Sequence, residues 1–430
     1  MHQTIQVDWY KKVLTEFNAR GIQYCLLRNY EFLYDDSFPI EGLDMVVSKP
    51  DLVRVGEVLH NFGFMKRKQQ FSLMHKAYFK LVDLKQVSFD LQVGGVYWND
   101  MRYLEESILK NRIAKDFFFV LSENDAAVMY VAHSILGKRY FKSKYQRIIS
   151  SMKYDRNEVL AALSSIFNRR KAATILDLVE QQKFERIPTY SLAAYFVMKK
   201  LGHITTFLAL CGRWLGWKKF FTPAPLISVL GPDGAGKSTL VSSLQEHLEV
   251  KGRRVKVVYT GRGRNHLLPI TKIGRAYKKT EKRKMALSPS PAAAAKSLFL
   301  KKLLYTASAP VFFFDQLLRY YARIFPARMQ KKIVITDRYG SDIMLMKNVP
   351  FGFKRFLLWF LPKPPLTIFL YNTPEVLKER RPQENIDDLK KQLEIFNRFT
   401  YSLKLQTSGK EKRNLQALEF VESYLLRNWW

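Results

Sequence analysis

Residues 231–239 read GPDGAGKST, a G-x-x-x-x-G-K-[ST] pattern directly after the apolar run PLISVL. Residue types at this spacing can hold a polyphosphate. Gly231, Gly234 and Gly236 let the backbone turn tightly, so that successive N–H groups converge on one anion. Lys237 brings a point charge to the β- and γ-phosphates, and the Ser238 hydroxyl is placed to hold Mg²⁺. The expected donor site is Gly231, Asp233, Gly234, Ala235, Gly236, Lys237, Ser238 and Thr239. Such a loop works only between a strand that delivers it and a helix whose N-terminus receives the anion. PLISVL and STLVSSLQEHLEV have the patterns of those two elements.

A second marker is KIVITDRYGSD at 332–342, a strand pattern ending in Asp337. Ligands gather beyond the carboxyl ends of strands in open parallel sheets. An Asp there can hold Mg²⁺ directly or through water, and Arg338 can reach phosphate oxygens.

GPDGAGKST, the DRY at 337–339 and LTIFLYNTPEVLKERR at 366–381 together resemble the thymidylate kinase family, over about residues 226–425. The resemblance implies a P-loop fold with a five-stranded parallel core, ATP and Mg²⁺ as cofactors, and transfer of the γ-phosphoryl group to an acceptor. It implies that Lys237 and Ser238 bind the donor and its metal, and that Asp233 and Tyr339 face the acceptor. Asp337 and Arg338 then lie on the acceptor and metal side, and Arg380 and Arg381 form an arginine-bearing lid. One segment departs from the family: GRGRNHLLP at 261–269 stands where an Arg-Glu-Pro-Gly type segment is expected. Arg262 and Arg264 are the acceptor-phosphate candidates there. Between Lys251 and Lys284 there are thirteen Lys or Arg residues against one acidic residue, Glu281, more charge than a small nucleotide requires.

In the N-terminal part, LDMVV and FDLQV resemble the carboxylate strands of polymerase-β-like nucleotidyltransferases. Asp44 matches the second carboxylate position and Asp90 the third. Gly42 occupies the first, and strict alternation sends Glu41 to the opposite face of the strand. Two-metal chemistry needs enough negative ligands for both cations. The resemblance therefore implies a degenerate, inactive domain.

The remaining elements set the frame. Strands and helices alternate over 1–100. Helical patterns dominate 101–222, with Ser122 and Asp125 spaced as a helix cap. Strand and helix then alternate over 223–430, predicting a parallel sheet with crossover helices. The expected fold is α/β: a nucleotidyltransferase-like α+β domain, a helical joint and a P-loop domain. Two cysteines exclude a disulfide framework. Uncharged stretches at Leu201–Gly212 and Leu303–Phe314 run for only 12 residues each, too short to span a bilayer. With no secretory signal visible, a cytoplasmic location is expected.

The net charge of +33, from 71 basic and 38 acidic residues, points to anionic partners. A nucleotide donor and a phosphorylatable acceptor come first. An anionic membrane face and a second copy of the chain follow, and nucleic acid ranks last, since no helicase-type motif series is present. The expected activity is phosphoryl transfer to a nucleoside monophosphate, a sugar, a glycan or a lipid-linked group. The alternative is an NTP-binding scaffold with slow hydrolysis.

Overall fold

The computed structural model describes residues 2–68, 74–98, 101–190, 222–261, 266–268, 306, 308–346 and 349–428. The chain forms two compact units, Met1–Trp217 with Ser423–Trp429, and Lys218–Glu422 with Trp430. Among the described residues no helix is long and apolar enough to cross a membrane.

The first unit is built on a seven-stranded mixed sheet in the order β3-β4-β5-β2-β1-β9-β8. Its strands are β1 (Tyr24–Arg28), β2 (Leu43–Val47), β3 (Met65–Lys66), β4 (His75–Val82), β5 (Lys85–Val93), β8 (Ile113–Lys115) and β9 (Phe118–Val120); β6 (Gly95–Trp98) pairs separately with β7 (Met101–Glu105). β2 runs parallel to β5, with Asp44 directly opposite Asp90. Apolar side chains from the helix His2–Ala19, among them Tyr10, Leu14 and Phe17, are fully buried in the core on that sheet.

The expectation of helix from residue 101 onward is corrected over 101–120, where β7, β8 and β9 lie. These strands are three to five residues long, and β8 is exposed throughout, so no apolar alternation announces them. Helix begins at Glu123. As the spacing predicts, Ser122 caps it: its Oγ accepts from the Asp125 backbone N–H at 3.1 Å.

The second unit carries a five-stranded, wholly parallel sheet in the order β11-β12-β10-β13-β14. The strands are β10 (Leu226–Leu230), β11 (Val255–Tyr259), β12 (Ile333–Asp337), β13 (Leu366–Tyr371) and β14 (Leu403–Gln406). β10 and β12 are buried at every residue, which is why they read as unbroken apolar runs. β11 and β14 are the edges and are partly exposed. The residue pattern predicts only helices after LTIFLYN; the family resemblance implies five strands without placing the fifth, which is β14. The chain steps from β10 out to β11, back to β12, then across to β13. The strand order therefore reverses at β10, and the crevice beyond its carboxyl end is where such sheets bind ligands.

Candidate active site

The phosphate loop leaves β10 at Gly231 and ends where the helix Lys237–Val250 begins. Leu240, Leu244 and Leu248 bury one face of that helix and fix its axis. The glycines are needed for two separate reasons. A Cβ on Gly231 would meet the Leu370 carbonyl oxygen at 2.4 Å, so the loop passes hard against the end of β13. Gly236, the N-cap, has φ +78°, and a Cβ there would lie 2.7 Å from an Arg413 guanidinium nitrogen.

Lys237 is only 6% exposed and folds back over the loop. Its Nζ donates to the Pro232 carbonyl at 2.7 Å and lies 3.5 Å from Asp233 Oδ1. Burial, reinforced by the nearby Arg338 charge, lowers its pKa to about 8. Ser238 and Thr239 are exposed in the first helical turn. The Ser238 Oγ donates to Asp337 Oδ2 at 3.4 Å across 99 residues of sequence. The other Asp337 oxygen, Oδ1, is buried and has no hydrogen-bond partner among the described residues.

Asp233 forms ion pairs with both Lys237 and Arg338. Arg338 adopts φ +73°, a conformation that a side chain other than glycine rarely takes without a functional or structural constraint. Its backbone N–H donates to the Val229 carbonyl at 3.1 Å, which docks the end of β12 against β10.

Arg380 and Arg381 end the helix Pro374–Arg380 and flank the loop. Arg380 donates to the Thr407 carbonyl at 2.9 Å and its hydroxyl at 3.0 Å, and reaches the Gly234 carbonyl at 3.5 Å. A Cβ on Gly234 would touch the Arg381 side chain at 3.3 Å. The Asn372 amide also bonds Thr407 Oγ1, so the residue that follows β14 sets the position of Arg380.

Lys237, Ser238, Asp233, Asp337, Arg338, Arg380 and Arg381 thus converge beyond the carboxyl ends of the central strands β10 and β12. Tyr339 is placed differently. It is buried among Leu226, Tyr320 and Val334, and its hydroxyl donates to the Pro362 carbonyl at 2.7 Å. That placement gives the ring a packing role. Arg262 and Arg264 lie outside the described residues.

Two features were missed from sequence. Arg413, on the helix Lys410–Arg427, is 5% exposed and lies against Gly236; burial, then the Arg380 charge, pushes its guanidinium below the ordinary value. Nothing local in KEKRNL marks it as part of the site. The second is a buried anchor under the segment that follows β11. Asp315 pairs with Arg319 at 2.7 Å and accepts the backbone N–H groups of Leu267 and Leu268. Gln316 donates to the Thr260 carbonyl at 2.7 Å. The i,i+4 spacing of Asp315 and Arg319 was the available signal.

A loop that can wrap a polyphosphate, ringed by arginines, with a hydroxyl and a half-used carboxylate beside it, is suited to phosphoryl transfer. Comparison with known proteins agrees. The family model for thymidylate kinase matches residues 229–419. A probable thymidylate kinase of Archaeoglobus fulgidus is 30% identical over 189 residues, covering 40% of this chain and 80% of that protein. Through its C-terminal half, the chain belongs to the thymidylate kinase family.

Proposed function

We propose that the C-terminal unit transfers the γ-phosphoryl group of ATP to a nucleoside monophosphate of the thymidylate type. The observation that carries this reading is the pair of contacts at the mouth of the loop, Ser238 to Asp337 and Asp233 to Arg338. The first suits a metal beside the donor phosphates. The second sets a carboxylate and a guanidinium together, able to engage an acceptor's hydroxyl and its phosphate. A motor or slow switch needs no such acceptor pair.

Lys237 and the loop N–H groups hold the donor's phosphates, with Arg380, Arg381 and Arg413 offsetting charge around it. The residues fit Mg²⁺: Asp337 Oδ1 is buried without a partner among the described residues and the Ser238 hydroxyl is adjacent. So small a protein donor set is what Mg²⁺ uses when phosphates complete its shell. Ser238 and Asp337 would hold the ion, which would supply positive charge to the donor's phosphates. The test is ATP consumption with purified protein and Mg²⁺ across nucleoside monophosphates, sugars and polyprenyl-linked glycans. We expect turnover with dTMP or a close analogue, and Asp233→Ala to weaken acceptor binding at least tenfold more than ATP binding. Turnover only with a sugar or glycan would move the acceptor class. Slow hydrolysis indifferent to every acceptor would favour the scaffold reading.

The same unit presents a stripe of Val311, Phe314, Leu318, Tyr321 and Phe325, each more than a third exposed, at alternating spacings of three and four along helical residues 308–325. A second copy of the chain laid along this stripe would bury it as a seam between helices. Leu318→Glu should then shift a dimer to monomer in sedimentation velocity. A monomeric parent chain that binds anionic vesicles would instead assign the stripe to a membrane face.

A further inference from the structure

A cavity of about 360 Å³ lies within the N-terminal unit. One wall is formed by Arg28, Asp44 and Asp90 on β1, β2 and β5. The other is the segment carrying Lys138, Lys142 and Lys144. Asp44 and Asp90 sit side by side in register, as two carboxylates of a metal site would. The rest of such a site is missing. A Cβ on Gly42 would meet Ser88 Oγ at 2.5 Å, so a carboxylate at this position requires the Ser88 hydroxyl to move. Glu41 lines the cavity after all: it precedes the first paired residue of β2, so strand alternation does not govern it. Even so, no group of three His, Cys, Asp or Glu side chains that could hold a metal occurs among the described residues.

Cationic side chains face these carboxylates instead. Arg28 Nε donates to Asp44 Oδ2 at 2.7 Å, and Asn29 reaches the same oxygen at 3.4 Å. The Asp44 carboxylate overrides the effect of burial and holds the Arg28 guanidinium more firmly protonated than usual. Its Nη1 is buried with no hydrogen-bond partner among the described residues. Lys142 is the N-cap of the helix Ser143–Ser151, with no side-chain cap bond and no acidic residue in the first turn. Cations are disfavoured at this positive end of a helix dipole; Lys144 there is paired with Glu31 at 3.2 Å, while Lys142 lies there and Lys138 lines the same cavity. Burial, followed by the Lys142 and Arg28 charges, lowers the Lys138 pKa. Glu41, Asp44 and Asp90 line the cavity too, so the lysines gathered on the opposite wall give it one basic side that can receive an anion.

We propose that this cavity binds a phosphate monoester of a hydroxylated small molecule directly, without a divalent metal. Lys138, Lys142 and the Nη1 of Arg28, unpartnered among the described residues, receive the phosphate. Asp90 and the second Asp44 oxygen accept hydrogen bonds from hydroxyls. The volume suits a hexose phosphate or a nucleoside monophosphate.

The experiment is isothermal titration in EDTA of the full chain carrying Lys237→Ala and Asp233→Ala, which disable the phosphate loop and the acceptor pair beside it. Inorganic phosphate, glucose 6-phosphate and AMP are the three probes. At least one of the two monoesters should bind at one site per chain, more tightly than inorganic phosphate, and their ratio separates the sugar from the nucleotide source. Adding Lys138→Ala and Lys142→Ala should weaken that binding about tenfold or more. Both lysines are exposed, so their loss leaves the core intact, and an unchanged melting midpoint confirms it. No binding by either monoester, binding that appears only with Mg²⁺, or equal binding after both lysine substitutions would overturn the proposal.

Discussion

Lys237→Ala reduces ATP turnover at least ~10³-fold while the melting midpoint stays within a few degrees of the parent. The loop offers its other donors as fixed backbone N–H groups, so this ammonium is the mobile charge that can follow the phosphates. Alanine also removes a buried cation, and the loss of its bond to the Pro232 carbonyl is offset by relief of that burial. Stability is therefore insensitive to a change that disables the donor site. Proton linkage supplies a second readout. In the free protein Lys237 titrates near pH 8, below its ordinary 10.5. Between these values the native state binds fewer protons than the unfolded chain, so this residue makes stability rise with pH through that window. A bound triphosphate restores the charge. ATP binding at pH 9 should take up a proton, and affinity should fall as pH rises above 8. Calorimetry in two buffers of different ionisation enthalpy measures the uptake, and Lys237→Ala should abolish it. Turnover within tenfold of the parent would remove Lys237 from the donor site.

Asp337→Asn lowers kcat ~10²- to 10³-fold and raises the Mg²⁺ concentration needed for half-maximal rate. The substitution keeps the shape of the side chain and the β12 backbone pairing. It deletes the negative charge beside Ser238 and turns one oxygen into a donor pointing at a cation. A structural role alone would lower stability without changing the metal requirement. Rates measured over a range of Mg²⁺ separate these outcomes. An unchanged Mg²⁺ dependence with normal turnover would show that Asp337 does not serve the metal.

Much of the C-terminal sheet was legible because its central strands bury both faces, so PLISVL and KIVITD are apolar without interruption. The Ser122 cap was legible for a similar reason: a hydroxyl three residues ahead of its N–H partner is a local event. The misses share the opposite property. β9 has three residues, meets β1 in parallel at Leu26 and Val120, and is otherwise paired with the short exposed β8. β14 is an edge strand with one buried residue in four. Strict alternation misplaced Glu41 because the strand had not yet begun, and the position of Tyr339 after Asp-Arg gave no sign that its ring turns into the core.

The amino-acid sequence alone determined the phosphate loop, since tight turns, a helix start and a lysine within nine residues depend on short-range sterics and hydrogen bonding. Only the tertiary structure decided what surrounds that loop. Arg338 reaches Asp233 from 105 residues away, Arg380 reaches Gly234 from 146, and Arg413 closes on Gly236 from a terminal helix. Such approaches follow from strand order and helix packing, which sum many weak contacts over the whole unit, and no local pattern of residues encodes them.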